Sequence, residues 1–351
     1  MSCHDTIHIQ GRPIGEGHAP YIVAEISANH NGDLTRALQL MEAIKKSGAD
    51  AIKIQTYTAD TLTIDHDSDD FQVRGGLWDG YSLYRLYQEA ALPWDWHEAI
   101  FAKGRELGVT VFSTPFDETA VSLLEQLEAP AYKIASFEAT DHALVARAAA
   151  TGKPLIISTG MANFDEIGET VKVAREKGAR ELILLHCVSA YPAPAEESNL
   201  RTIPDLSKSF GVVAGLSDHT LGHAVAVSSV ALGAAVIEKH VTLRRADGGV
   251  DSAFSLEPDE LSVLCSSCKT AWAALGSINY ASSPAQEENR KFRRSLYAVK
   301  DVRAGELFTA DNVRSIRPGY GLPPKHLPEI IGRKAAVAIR RGTPISWQLI
   351  A

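Results

Sequence analysis

Positive charge is in short supply in this chain. Its 351 residues carry 35 Lys and Arg against 43 Asp and Glu, a formal net charge of -8. That excludes a general nucleic-acid-binding surface, which needs clustered excess cations. It leaves open an anion site built from a few cations gathered at one point. Cysteine is scarce too, and four residues are too few for a disulfide scaffold in a chain this long. Cys265 and Cys268 form a C-x-x-C with no second pair, inside LSVLCSSCKTAWAAL, which reads as helix. Packing thiols are therefore expected there rather than a structural zinc site. No apolar run reaches the roughly 18 residues a membrane span needs, and the opening MSCHDTIHIQGRPIGEG has no apolar signal region. The expectation is a soluble, cytoplasmic protein with no membrane or nucleic-acid partner. A Gly-rich dinucleotide fingerprint after the first apolar run is missing as well, which disfavours a doubly wound open sheet.

What is present is a rhythm. The hydrophobic share of 45% and charged share of 22% are ordinary for a globular protein and exclude a disordered or collagen-like chain. Short Val- and Ile-rich runs alternate with longer amphipathic stretches. The runs are YIVAEIS, AIKIQTY, VTVFSTP, AYKIAS, PLIIST, LILLHC, VVAGLSD and VIEKHVTL. They lack sustained polar alternation, as strands of a parallel sheet buried on both faces do. The intervening stretches end at Gly48, Gly108 and Gly178 after basic residues, a helix-stop signal, and Asp117, Asp141 and Asp165 stand where N-caps are expected. Eight such units, the last helix running through about 257–275, predict a (β/α)8 TIM barrel.

Two segments break the rhythm. Residues 58–92 form a long insertion carrying Trp78, Tyr81, Tyr84 and Tyr87, read as a lid or binding loop, or else as a packed surface hairpin. The polar stretch 282–294 reads as a linker. It separates a catalytic domain over 1–281 from a small β-rich domain over 295–351, near the lower size limit for an independent core.

In a TIM barrel the active site forms at the carboxyl ends of the strands, and polar residues collect there. Lys53 in AIKIQ and Lys133 in AYKIAS are flanked by apolar residues, so each is expected to point into the barrel mouth. A lysine buried in an apolar strand is costly unless paired. With Thr114, Ser136 and Ser158 the two lysines make the cation-and-hydroxyl cluster that a phosphate or carboxylate needs. Pairing of one lysine with Glu25 is the structural alternative. His219 and His240 end neighbouring strands, where two imidazoles can hold a divalent cation or serve structural or acid–base roles. Two protein ligands suit Mn²⁺ or Mg²⁺ as well as zinc. Taken alone, Asp251 in ADGGVDSAF is a turn residue, and His4, His8, His142 and His326 belong to no constellation.

AEISANHNGD, AIKIQTY, STPFD, YKIAS, STGM, YPAP, GLSDHT and EKHVTL occur in this order. Together they resemble the sialic acid (nonulosonic acid) synthase family. SIRPGYGLPP and GRKAAVAIRRGTPI resemble that family's antifreeze-like (SAF) domain. AEISANHNG, GGLWDGYSLYRLYQEAALPWDWH and GGVDSAFSLEP are closer to the pseudaminic acid synthase branch than to N-acetylneuraminate synthases. The resemblance implies condensation of phosphoenolpyruvate with an open-chain N-acetylated deoxyhexose, with release of phosphate. In the pseudaminic branch that sugar is 2,4-diacetamido-2,4,6-trideoxy-L-altrose. N-acetylneuraminate and legionaminate synthases are the alternatives.

Carried over residue by residue, the resemblance implies that Lys53, Thr114, Lys133, Ser136, Ser158, Ser189 and Ser217 hold phosphoenolpyruvate. His219 and His240 fall on ligands of a divalent metal, Mn²⁺, Mg²⁺ or Co²⁺. Glu25 falls on the acid beside sugar and metal. Gln55, Tyr191, Asp251 and Arg317 fall on the sugar side, with Arg317 reaching the site of a partner subunit in a domain-swapped homodimer. One departure is that Ser189 stands where N-acetylneuraminate synthases carry Asn before the Tyr-Pro pair.

Overall fold

A computed structural model describes residues 6–351. Cys3 and His4 lie outside them. The chain divides into two compact units, one ending at Gly276 and one running from Ser277 to Ala351.

The first unit is a closed barrel of eight parallel strands. A hairpin of β1 (Ile7–Ile9) and β2 (Arg12–Ile14) precedes it. The barrel strands are β3 (Tyr21–Glu25), β4 (Ala51–Thr56), β5 (Thr110–Pro115) and β6 (Tyr132–Ile134), then β7 (Leu155–Ser158), β8 (Leu182–Cys187), β9 (Val213–Asp218) and β10 (Val236–His240). Each neighbours the next in chain order, and β10 closes on β3. The expected barrel is thus present, strand for strand. Its helices are α1 (Leu34–Ser47), α2 (Ala59–Leu62), α3 (Leu83–Ala90), α4 (His97–Leu107) and α5 (Glu118–Gln126). They continue with α6 (His142–Ala149), α7 (Phe164–Glu176), α8 (Thr202–Phe210), α9 (Ala224–Val230) and α10 (Pro258–Leu275).

Helix ends follow the local chemistry. Gly48 and Gly108 take left-handed φ of 89° and 60° immediately after α1 and α4. Asp117 and Asp141 accept backbone N–H bonds at the starts of α5 and α6. The expected Asp165 cap is corrected. Asn163 caps α7, accepting from the N–H groups of Asp165 and Glu166, and the Glu166 side chain returns a bond to the Asn163 N–H. Asp165 sits inside the first turn, where its charge still favours the helix dipole.

Alternation along the strands divides the barrel into two kinds of surface. Ile22, Ala24, Ile52 and Ile54 point outward and pack against the helices. Tyr21, Val23, Ala51, Phe112, Ala131, Ile156, Ile183, Leu185, Val213 and Val236 point inward and fill the amino-terminal end. The hairpin adds Ile7, Ile9 and Ile14 to that cluster and plugs the barrel from below. Sequence reading did not anticipate this hairpin. Its turn is Gln10–Gly11, both at positive φ, without the Asn-Gly or Asp-Gly signal such turns usually carry. Cys265 and Cys268 are buried packing residues of α10, their thiols pushed up to about 12 chiefly by burial.

The second unit pairs β11 (Ser295–Ala298) with β12 (Val313–Ile316) around a core that includes Leu296, Phe308, Val313, Ile330, Ile339 and Ile345. The stretch read as a linker carries a short helix, α11 (Pro284–Glu287), and a 3-10 turn over Glu288–Phe292. No helix among the described residues is long and apolar enough to cross a membrane.

Gly215 faces inward on β9, where an added Cβ would lie 2.3 Å from the Val236 carbonyl oxygen and 2.7 Å from Leu185 Cδ2. Gly215→Ala should destabilise the barrel by about 1–3 kcal/mol. Thermal unfolding reads this as a lowered Tm, and an unchanged Tm contradicts the interior packing described.

Candidate active site

The inward alternation continues past the apolar layers to the carboxyl ends, where the side chains become polar. Glu25, Lys53, Gln55, Thr114, Lys133, Ser158, Ser217, Glu238 and His240 all share the parity of the inward apolar residues below them. They form the floor of a cavity of about 420 Å³. Lys53, Gln55, Lys133, Ser136, Ser158, Tyr191, Ser217, His219, Glu238, His240 and Asp251 line it directly.

Two acids clasp Lys53. Its Nζ lies 2.6 Å from Glu25 Oε2 and 3.1 Å from Glu238 Oε1, and it donates to Thr114 Oγ1 at 3.3 Å. Glu25 and Thr114 therefore sit behind Lys53 as its supports. Lys133 Nζ stands 3.8 Å from the same Glu238 oxygen, which also accepts from Ser217 Oγ at 3.1 Å. The four charged groups are essentially buried. Burial opposes the charge of Lys53, but Glu238 and Glu25 hold its pKa above the ordinary lysine value. Burial lowers Lys133 to about 8, with Glu238 only partly restoring it. The two acids diverge. Burial also works against Glu238, yet Lys133 and Lys53 pull it down to about 2. Glu25 is pushed up by burial and by the charge of Glu238, against the pull of Lys53. Such a split marks one carboxylate as a fixed charge and the other as able to carry a proton.

His219 and His240 face each other with ring centroids 5.3 Å apart. His219 Nδ1 is 3.0 Å from the Val188 carbonyl, which places the N–H there and leaves the other nitrogen free. His240 Nδ1 is buried without a partner, and burial with the charges of His219 and Lys53 keeps its pKa well below 6.5. Two facing imidazoles, one with an orphaned nitrogen, fit a divalent cation whose other positions come from water or substrate. No cluster of three or more His, Cys, Asp or Glu side chains arranged for a metal occurs among the described residues.

On the other side of the floor, Ser27 Oγ donates to Asp251 and accepts from Gln55 Nε2 at 3.1 Å. Asp251 is buried and held by Ser27, so it is more than a solvated turn residue. Tyr191 stacks 4.4 Å from His219 and 5.5 Å from Trp78. Ser136 Oγ accepts from the Gly160 N–H at 3.2 Å. A Cβ on Gly160 would meet Ser189 Oγ at 2.3 Å, so both hydroxyls crowd that glycine. Ser158 Oγ is buried with no partner in the protein. Arg317 is exposed and belongs to the second unit.

The insertion contributes the roof. A short hairpin around the Gln72–Ser82 bridge leads into α3, and its ends are tied by Trp94 Nε1 donating to the Tyr57 carbonyl at 3.2 Å. Trp78 and Tyr87 line the cavity with Leu62, Val73, Leu83 and Leu86. Tyr81 and Tyr84 instead bond to Glu89 and Asp60 at the surface.

With this geometry in hand, residues 40–280 match the NeuB family and residues 293–351 match the SAF domain. The chain belongs to the NeuB family. A pseudaminic acid synthase from Campylobacter jejuni is 45% identical over 322 residues, 92% of this chain and 94% of that protein. An N,N'-diacetyllegionaminic acid synthase from the same species is 37% identical over 318 residues, 90% of this chain and 95% of that protein. The crystal structure of an N-acetylneuraminic acid synthetase from Leptospira borgpetersenii, in complex with citrate, superposes with a TM-score of 0.73 at 29% identity, covering 82% of this chain and 95% of that one. This NeuB-family chain is accordingly an enzyme of the sialic acid synthase class.

Sequence reading missed three residues that line the cavity. Glu238 bridges both lysines, and sequence reading gives it no role. Its signal was available, since Glu238 and His240 share one face of the strand VIEKH. Cys187, 3.8 Å from His219 Nδ1, likewise follows from the alternation of LILLHC. Glu138 lies in a 3-10 turn beyond β6, where no periodicity marks it.

Removing Lys53 leaves Glu25 and Glu238 buried without their shared cation. Lys53→Met should cost about 3–5 kcal/mol of stability. Urea unfolding at neutral pH measures it, and a loss below about 1 kcal/mol contradicts the clasp.

Proposed function

We propose that this NeuB-family chain condenses phosphoenolpyruvate with 2,4-diacetamido-2,4,6-trideoxy-L-altrose and water, giving pseudaminic acid and phosphate. The observation that carries the reading is the pair of buried lysines converging on Glu238 beneath an apolar-walled cavity. The higher identity to the pseudaminic acid synthase than to the legionaminic acid synthase favours this sugar. A wall of Trp78, Tyr87, Leu83 and Leu86 suits a deoxy methyl group better than a hydroxymethyl.

In this reading Lys53 and Lys133 neutralise the phosphate and carboxylate of phosphoenolpyruvate, with Thr114 steering Lys53. Hydroxyls of Ser136, Ser158, Ser189 and Ser217 supply short donors, and the unpartnered Ser158 Oγ is the one with no bond to give up. C3 of phosphoenolpyruvate attacks the sugar aldehyde carbon, water adds to the carbocation-like C2, and phosphate departs. The fixed charge of Glu238 lies where positive charge develops, and the lysines lie where negative charge leaves. We assign the proton released by the attacking water to the alkoxide left on the former aldehyde oxygen, while Glu25 supports Lys53 from behind. Gln55 and Asp251, linked through Ser27, orient the sugar hydroxyls, and Tyr191 packs against its body. The roof excludes bulk water from the reacting atoms.

His219 and His240 would hold the divalent metal, Mn²⁺, Mg²⁺ or Co²⁺. When bound, such an ion polarises the aldehyde carbonyl. In this reading Arg317 of a second copy reaches the sugar's N-acetyl group, in a homodimer, and the reaction is cytoplasmic.

Phosphate release from phosphoenolpyruvate, measured with each candidate sugar, tests the function. Turnover with the altrose sugar and a diacetamido nine-carbon acid in the mass spectrum are expected. Preference for N-acetylmannosamine or the legionaminate precursor contradicts the reading. Chelation should abolish turnover and added Mn²⁺ restore it, while phosphate release persisting in chelated His240→Ala protein contradicts the metal role.

Because burial lowers Lys133 to about 8, its charge fades as pH rises through that value. The KM for phosphoenolpyruvate should rise above about pH 8, and Lys133→Arg, which stays charged, should flatten that rise. A KM independent of pH in the unsubstituted protein contradicts this placement of the anion.

A further inference from the structure

The barrel fixes its two facing histidines to different degrees. His240 ends β10 and is in register with Glu25 of β3. His219 lies one residue beyond β9, whose last residue, Asp218, stands opposite Lys239 of β10. The sheet ladder therefore stops short of His219. On the β8 side, His219 is held by the Val188 carbonyl at its ring and by the Ala193 N–H at its own carbonyl. Its placement against β10 has to come from elsewhere.

Lys239 and Asp218 meet on the outer side of the strands, opposite in parity to Ser217, Glu238 and His240. The layer they enter is otherwise built from apolar residues such as Ala214, Leu216, Ile237 and Val241. Lys239 Nζ donates to Asp218 Oδ2 at 2.7 Å and also to the Thr220 carbonyl. Asp218 Oδ1 accepts from the Thr220 N–H at 2.9 Å. The residues on both sides of His219 are thus tied to the residue that precedes His240. Both side chains of the pair are 1% exposed, and among the described residues it is the one ion pair outside the cavity that is buried on both sides. Burying two charges costs about as much as their attraction returns, so apolar residues of similar volume would serve stability as well. What a hydrogen-bonded charge pair adds is a fixed direction and separation.

We propose that Lys239 and Asp218 are positioning residues for a divalent cation, their buried pair holding the His219 and His240 imidazoles at the separation the ion needs. This rests on the reading that those two histidines hold the metal. Neither Lys239 nor Asp218 lines the cavity, so both act through the backbone of their neighbours. Groups that orient metal ligands without touching the ion commonly govern its affinity, because ligands left free to drift must be ordered when the ion binds.

The test measures Mn²⁺ binding to the full-length, metal-stripped protein by isothermal titration calorimetry, together with its Tm without metal. Lys239→Met alone would leave a buried carboxylate uncompensated. The informative variant therefore combines Lys239→Met with Asp218→Asn, which removes both charges and keeps an amide oxygen for the Thr220 N–H. This double variant should keep its Tm within about 5 °C of the unsubstituted protein. It should bind Mn²⁺ about 10- to 100-fold more weakly, and half-maximal turnover should need correspondingly more Mn²⁺. His240→Ala, which removes a ligand, should abolish that binding and tests the metal reading by itself. Mn²⁺ affinity in the double variant within about 3-fold of the unsubstituted protein would overturn the proposal and leave the metal reading standing. A double variant that no longer folds would make the pair a stability element, which overturns the proposal as well. Unsubstituted protein that binds no Mn²⁺, or binds it equally after His240→Ala, would overturn the metal reading and this proposal with it.

Discussion

Lys53 is buried between two carboxylates, and much of the barrel's upper half is arranged around that fact. A lysine ammonium at this depth needs compensation. Glu25 on β3 and Glu238 on β10 provide it from neighbouring strands on one side, and Thr114 on β5 adds a hydroxyl from the other. The cluster, with Lys53 itself on β4, thus links four strands across the point where the barrel closes, because β10 pairs with β3. The same Glu238 oxygen reaches toward Lys133 and accepts from Ser217. One acidic side chain therefore sets the positions of both cations that an anionic substrate would meet. Compensation here is uneven: Lys53 has two acids and Lys133 shares one, so a substrate's negative charge finds its larger unmet demand at Lys133.

Around this floor the cavity divides by chemistry. Charged groups sit at the strand ends, imidazoles occupy β10 and the turn after β9, and the insertion after β4 brings apolar and aromatic side chains overhead. A strongly polar base beneath an apolar wall is what a substrate pair of unlike character requires, one part anionic and one part amphipathic. The insertion can serve this purpose because its two ends are fixed close together, through Trp94 and the Tyr57 carbonyl, on a rigid strand.

The barrel was readable because its strands announce themselves as short aliphatic runs and its helices end on glycine with basic residues before it. The polar floor was readable for the same reason. Lys53, Lys133 and His240 interrupt apolar runs at positions whose alternation points inward. What escaped had no such periodicity. Glu138 lies in an irregular turn, and the β1–β2 hairpin is too short, with too unusual a turn, to show as strand. Glu238 escaped for another reason. Its strand also carries Lys239, which pairs outward with Asp218, and only the parity of the strand separates the two charges.

The central claim is that Lys53 and Lys133 together receive the anionic substrate. A crystal structure of the protein with phosphoenolpyruvate bound tests it most directly. The account predicts phosphate or carboxylate oxygens within hydrogen-bonding distance of both ammonium groups, with Ser158 Oγ acquiring the partner it lacks. Phosphoenolpyruvate bound elsewhere, with Lys133 contacted by Glu238 alone, would contradict it.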